Sequence, residues 1–189
     1  MVDRRGSVDR ALVELAQHGD REAFAALAAA TVDRLYAIAH MSLRDADRAE
    51  DAVQETLVRC WRDLPNLRDP DKFDAWQRRL LMRAITDEFR RGRRFEAKVR
   101  RLQEEPAEVD SAAALADRDE LDRGFRRLDP DHRTILVLRH FQGLTVPQIA
   151  DALGIAEGTA KSRLHYAMTA LRAALDADAR TSVTQEVSA

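Results

Sequence analysis

Apolar residues recur at intervals of three and four along the first half of the chain: Leu12, Leu15 and Ala16, then Phe24, Leu27 and Ala28, then Leu35, Ile38 and Ala39. That spacing lines one face of an α-helix. It predicts a helical block from about Val8 to about Arg94, with residues 1–10 polar and loose at its start. The breaks are also readable. His18-Gly19-Asp20 ends one helix, Leu43-Arg44-Asp45 loosens the next, and Leu64–Phe73, with Pro65, Asn66 and Pro70, reads as a loop. Within the block, Val53, Leu57 and Trp61 are spaced by four and predict an inward face. Asp51, Glu55, Arg59 and Arg62 project the other way, with Gln54 at the edge.

The pattern changes at Glu104–Glu120, which is acidic, contains Pro106 and carries small side chains where core residues would stand. It reads as a linker with some helix after Ser111. Helical periodicity returns from about Leu121 to Leu175. The tail from Asp176 has no apolar period and reads as disordered. The fold class is therefore all-α: two small helical domains joined by a flexible acidic linker.

The second block has its own punctuation. Asp129-Pro130 opens a helix with proline in the first turn. Ile135, Leu136, Leu138 and Phe141 supply its buried face, and Gly143 ends it. Thr145 caps a short helix, and Gln148 completes a capping box. Ile149, Ala150 and Leu153 face inward, Gly154 makes the turn, and a longer helix starts near Glu157. Two helices joined by a short glycine-containing turn form a helix-turn-helix. In the last helix Ala160, Leu164, Met168, Leu171 and Leu175 form an apolar stripe. The opposite face carries Thr159, Ser162, Arg163, His165, Tyr166 and Thr169, with Lys161 at its margin and no acidic residue. Such a face can offer hydrogen bonds to bases and cations to phosphates. His165 fits a phosphate or groove contact, because no partner stands at metal-ligand spacing.

Charge adds a second candidate surface. The 189 residues carry a formal net charge of -2, which argues against a protein coated in nucleic acid. Yet Trp76–Arg101 holds ten basic residues against three acidic ones, a local net of +7. That patch suits phosphate contact with counterion release. Phe73 and Trp76 flank the preceding loop, and either could stack on an exposed base or anchor the core. Trp76 is assigned to the core by its spacing with Leu80, and Phe73 is left open. The single cysteine, Cys60, excludes an intramolecular disulfide and a cysteine-only metal site. No apolar run follows Arg4 and Arg5, and no stretch is apolar enough to span a bilayer, so a cytoplasmic location is expected. No cofactor or metal is expected.

These pieces, in this order, resemble a bacterial RNA polymerase sigma factor of the extracytoplasmic-function (ECF) type. The fragments that carry the resemblance are "DREAFAAL", "AEDAVQETLVRCW", "FDAW" followed by "DEFRR", and "HRTILVLRHFQGLTVPQIADALGIAEGTAKSRL". The resemblance implies a sigma domain two over 8–97, a linker over 98–117, a sigma domain four over 118–176 and a disordered tail over 177–189. It implies that Asp51, Gln54, Glu55 and Arg59 dock on the beta-prime clamp helices of core polymerase, with the beta flap as a further contact. Asn66, Lys72, Phe73, Arg78, Arg79 and Arg83 would then open and hold the −10 element. Thr159, Lys161, Ser162, Arg163, His165 and Tyr166 would read the −35 element. An anti-sigma factor, often at the inner membrane, is the implied regulatory partner. The family often has Asn where Arg83 stands, and Gln148 replaces a usual Glu.

Two other readings compete. A stand-alone helix-turn-helix regulator would bind duplex DNA without polymerase, but it has no need of a docking helix and a basic strand-opening patch. An enzyme would need a paired constellation of carboxylates with a His or nucleophile, a phosphate-cradling loop or a metal motif, and none is present in the sequence.

Overall fold

The structure is a computed structural model that describes residues 8–102 and 116–187, with side chains over 8–94 and 122–177. Of the loose start expected at residues 1–10, residues 1–7 lie outside the described residues, as does most of the acidic linker, whereas Asp9 already caps a helix that begins at Arg10. All the described elements are helical. They form two compact units, one built mainly from residues up to Arg90 and the other mainly from residues after it.

The first unit contains α1 (Arg10–Gln17), α2 (Arg21–Leu43), α3 (Ala46–Asp63) and the start of α4 (Phe73–Leu102). Each of the first three opens on an aspartate whose carboxylate accepts backbone N–H bonds: Asp9 from Ala11, Asp20 from Glu22 and Ala23, Asp45 from Arg48. Such caps contribute about 1 kcal/mol each. The corners lie where the sequence predicts them. Gly19 turns the chain at φ 90° and Arg44 at φ 59°, each followed by a capping aspartate.

Val13 and Ala16 of α1 pack with Ala23 and Leu27 of α2, Leu64 and Phe73. The chain from Leu64 to Phe73 is less open than a plain loop. It contains two single 3-10 turns, Leu64–Asn66 and Pro70–Lys72, both started by proline-bearing segments. Further along, α3 buries Ala49, Ala52, Val53, Thr56 and Cys60. Trp61, predicted to face inward, is 41% exposed and meets Phe24 edge-on at 4.9 Å. Its place in the stripe is taken by Cys60, because the inward face of α3 runs 49-53-56-60 rather than 53-57-61.

Buried polar groups tie these helices together. Gln77 of α4 is 1% exposed and donates from Nε2 to Thr31 Oγ1 at 3.1 Å, and Thr31 donates to the Leu27 carbonyl at 2.9 Å. Arg34 pairs with Asp74, and Arg48 donates to the Glu88 carbonyl at 2.6 Å. Burial of Cys60 pushes its thiol up to about 12, with a hydrogen bond from Gln77 acting the other way. A thiol reagent should therefore label native protein at mildly alkaline pH far more slowly than protein unfolded in denaturant, because thiolate is the reactive form. Equal labelling rates would contradict this packing. Because the folded state disfavours the thiolate, the contribution to stability is full below the ordinary value of 9.0 and is lost as pH rises toward about 12.

The second unit contains α5 (Ala116–Arg127), α6 (Pro130–Leu136), α7 (Val146–Leu153) as far as Ile149, and α8 (Glu157–Val187). Helix α8 packs against both α5 and α6. Its buried centre is Ala160, Ala167 and Ala174, spaced by seven, with Leu164, Met168, Leu171 and Leu175 partly buried beside them. Small residues let the partner helices approach. Gly124 of α5 does the same: a Cβ there would sit 3.0 Å from Leu175 Cδ2.

Two boundaries differ from the sequence reading. Helix α4 runs to Leu102, past residue 97. Helix α8 runs to Val187, past the predicted end of order. Neither extension contains proline, and adding a residue to an existing helix is far easier than nucleating one.

Candidate nucleic-acid and polymerase interfaces

In the second unit, Asp129 caps α6 by accepting from Asp131 N, with Pro130 in the first turn. The helix continues into a π turn, Val137–Phe141, closed by Gln142 N donating to the Val137 carbonyl at 3.1 Å. The extra residue in that turn rotates the residues after it about the helix axis. Ile135, Leu136 and Leu138 are buried as predicted, whereas Phe141 is turned out to 52% exposure. Gly143 and Gly154 both take φ 65°, ending α6 with its π turn and making the turn into α8. Thr145 and Gln148 form half of the predicted capping box. Gln148 Oε1 accepts from Thr145 N at 2.9 Å and from Thr145 Oγ1 at 3.0 Å, so the threonine hydroxyl donates to the glutamine rather than capping a backbone N–H. Ile149 and Ala150 are buried and Leu153 is partly buried.

The outer face of α8 presents Thr159, Lys161, Ser162, His165 and Tyr166 as exposed, Tyr166 at 62%. Arg163 is partly buried, with NH1 3.8 Å from Asp131 Oδ2 of α6. An acidic group thus borders the face after all, supplied by a neighbouring helix that inspection of α8 alone misses. Ser162 Oγ donates to the Thr159 carbonyl at 3.0 Å, and His165 meets Tyr166 edge-on at 5.8 Å.

In the first unit, Asp51 and Gln54 of α3 are exposed. Glu55 and Arg59 bond to each other at 2.7 Å, and Arg59 reaches Asp87 of α4 at 3.2 Å. Burial works against the charge of Arg59, but the bonds to Glu55 and Asp87 outweigh it and raise the guanidinium pKa. Arg59 is thus a strut between helices as well as a member of this face. Residues Asp47, Asp51, Gln54, Val58 and Trp61 are all exposed and follow a 4-3-4-3 spacing, the period of a seam that packs along another helix. Val58, 60% exposed, was not among the residues singled out from sequence. An exposed valine breaks no sequence rule, so only the fold reveals it.

The structure divides the predicted −10 set. Asn66 and Lys72 are exposed, Lys72 lying 3.5 Å from Asp69. Phe73 is 2% exposed in the core with Val13, Leu27 and Leu64, so it is a core anchor and not a stacking platform. Trp76 packs on that core, its ring centroid 5.9 Å from that of Phe73. Arg78 is partly buried. Burial lowers its pKa, the charge of Arg34 adds to that effect, and Asp74 opposes it. Arg79 is partly exposed, and Arg83, Arg90, Arg91, Arg93 and Arg94 are exposed along α4. The side chains of Lys98, Arg100 and Arg101 lie outside the described residues. One contributor lies far away in sequence. Gln17 of α1 donates from Nε2 to the carbonyls of Leu64 at 3.2 Å and Leu67 at 2.7 Å, and Arg10 pairs with Asp71 at 2.7 Å.

Comparison with known proteins agrees with this geometry. The Sigma-70 region 2 family matches residues 27–95, and the Sigma-70, region 4 family matches residues 124–173. The ECF RNA polymerase sigma factor SigL of Mycobacterium tuberculosis (strain ATCC 25618 / H37Rv) is 39% identical over 136 residues, 69% of this chain and 76% of that protein. The chain belongs to the ECF sigma factors. The RNA polymerase sigma-E factor of Streptomyces coelicolor is 32% identical over 157 residues, 82% of this chain and 88% of its own length. Among solved structures, CnrH in complex with the cytosolic domain of CnrY aligns at a TM-score of 0.63 with 29% identity, over 90% of this chain and 98% of that one. The sigma factor RpoE of Bartonella quintana, in complex with the anti-sigma factor NepR, aligns at 0.61 with 26% identity, over 78% and 93%. In this ECF sigma factor, the region 2 match contains α3, the loop and the basic half of α4, and the region 4 match contains the helix-turn-helix. No described helix is long and apolar enough to cross a membrane.

Proposed function

We propose that this ECF sigma factor carries core RNA polymerase to promoters through three surfaces and acts by binding, without catalysis of its own. The exposed face of α3, centred on Asp51 and Gln54 with Glu55 and Arg59 at its flank, docks on the beta-prime clamp helices. The 4-3-4-3 stripe supports a helical partner there, polar toward the start of α3 and apolar at Val58 and Trp61. The loop residues Asn66 and Lys72, with Arg78, Arg79 and Arg83 after them, hold the opened −10 strand. Thr159, Lys161, Ser162, Arg163, His165 and Tyr166 read the −35 duplex, and the second unit also meets the beta flap. Residues 98–117 link the two activities.

The protein works in the cytoplasm at the nucleoid, and an anti-sigma factor at the inner membrane restrains it. In support, CnrH was solved with the cytosolic domain of CnrY, and RpoE with the anti-sigma factor NepR. The observation that carries the reading is the coexistence of a helix-turn-helix and a separate docking face in one chain of formal net charge -2. Net negative charge weakens binding to DNA by long-range attraction, so promoter binding should depend on polymerase. Footprinting with and without core polymerase checks this. Protection should be weak for the isolated protein and strong and specific for the holoenzyme. A footprint equally strong without polymerase would favour the stand-alone regulator.

A further inference from the structure

We propose that Gln17 is a positioning residue for −10 recognition: it holds the loop between α3 and α4 in the shape that receives the displaced strand. The inference rests on the assignment of that loop to the −10 element.

The geometry is specific. A carboxamide nitrogen has two protons, and Gln17 directs one to each of two loop carbonyls, Leu64 at 3.2 Å and Leu67 at 2.7 Å. Those carbonyls bracket Pro65 and Asn66, and Leu67 N closes the same turn on the Leu64 carbonyl at 3.0 Å. The turn that presents Asn66 is therefore clamped from inside by its own backbone and from outside by α1. Arg10, two turns earlier on α1, secures the other end of the loop through Asp71 at 2.7 Å. Leu64 and Phe73, at the two ends of the loop, are buried against Val13 and Ala16 of the same helix. Helix α1 thus contacts the loop at its start, middle and end, while Asn66 and Lys72 stay open to solvent.

The physical consequence concerns preorganisation. A pocket that holds an extruded base must offset a few kcal/mol of lost stacking. A loop that must first be ordered adds its own entropy to that cost, and a misplacement of about 1 Å can undo an aligned contact. Gln17 removes that ordering step without touching nucleic acid itself. Its nearest alternative role is plain stability, since the same two hydrogen bonds also tie α1 to the loop.

The test compares Gln17→Met, which keeps length and loses both donors, with wild type and with Asn66→Ala. Holoenzymes are assayed on promoters carrying each single-base change across the −10 element, alongside core affinity, thermal unfolding and −35 preference. In Gln17→Met, discrimination should flatten at the base or bases held by the loop, losing most of the roughly tenfold or greater preference that one read base supplies. Core affinity and −35 preference should stay at wild-type values. Gln17→His, which retains a ring N–H donor, should restore part of the discrimination. If Asn66→Ala flattens the profile and Gln17→Met does not, the positioning role is wrong while the loop assignment stands. If neither changes the −10 profile, the loop assignment itself fails. A uniform loss in Gln17→Met that tracks thermal stability and core affinity would show a purely structural role and overturn the proposal.

Discussion

Replacing Asp51 and Gln54 together with lysine should abolish capture of core polymerase while the protein melts like wild type. Both side chains are exposed on α3, opposite the buried line of Ala49, Val53, Thr56 and Cys60, so the fold loses no packing. A charge reversed within a desolvated docking site costs about 2–5 kcal/mol, which is roughly a thirtyfold loss or more in affinity. Competition with unmodified protein for core polymerase measures it. Glu55 makes a less clean probe. Its carboxylate holds Arg59, which braces Asp87 on α4. Glu55→Lys would set two cations against each other beside a partly buried strut and should lower stability by about 1 kcal/mol as well as affinity, a figure already discounted for the exposure of the pair. If the Asp51/Gln54 variant competes normally, the docking face lies elsewhere on the unit.

Glu55 differs from Asp51 and Gln54 through Arg59, four residues further along α3, and Arg59 in turn through Asp87 on α4; that second link is where the sequence stops being informative. Corners such as Gly19-Asp20 and Arg44-Asp45 were legible because caps and left-handed turns are decided by neighbours in the chain. The helix-turn-helix was legible for the same reason: Asp129-Pro130, Thr145, Gln148, Gly143 and Gly154 all act within a few residues. Side-chain direction was legible only where the helix stays regular. Phe141 fits an α-helical stripe on paper, and the π turn rotates it out. Trp61 sits four residues from Leu57, yet it is the Cys60 side of α3 that the other helices cover.

Long-range polar partners were not legible at all. Nothing local to Gln17 points to Leu64 and Leu67, nothing near Arg59 points to Asp87, and Gln77 reads as one more polar residue on a basic helix. The open choice at Phe73 belongs to the same class. Its burial depends on Val13 and Leu27, which the fold brings from other helices. The family resemblance supplied roles for Arg59 and Phe73 but not their surroundings, and the surroundings decide which substitutions are informative.

The division of labour between the two DNA-contacting surfaces should appear as a difference in rescue by a pre-melted promoter. Arg163→Ala should relax preference at the −35 element by about 1–3 kcal/mol if its guanidinium makes a bidentate contact with a guanine edge. Its ion pair with Asp131 does not stand in the way: at 3.8 Å, with both side chains substantially exposed, it is weak enough for DNA to displace. On α4 the choice of residues matters. Arg78 is partly buried next to Arg34, so alanine there would mix lost packing with lost contact. Arg79 and Arg83 are more open, and together they remove two charges from the +7 segment after the loop. Arg79→Ala with Arg83→Ala should slow opening of duplex promoters, because fewer cations hold the displaced strand by its phosphates. An artificial bubble over the −10 element removes the opening step. It should therefore recover most of the initiation rate of the Arg79/Arg83 variant and leave the altered −35 preference of the Arg163 variant as it was. Equal rescue of both variants, or of neither, would mean that opening and duplex reading are not separated between the two units.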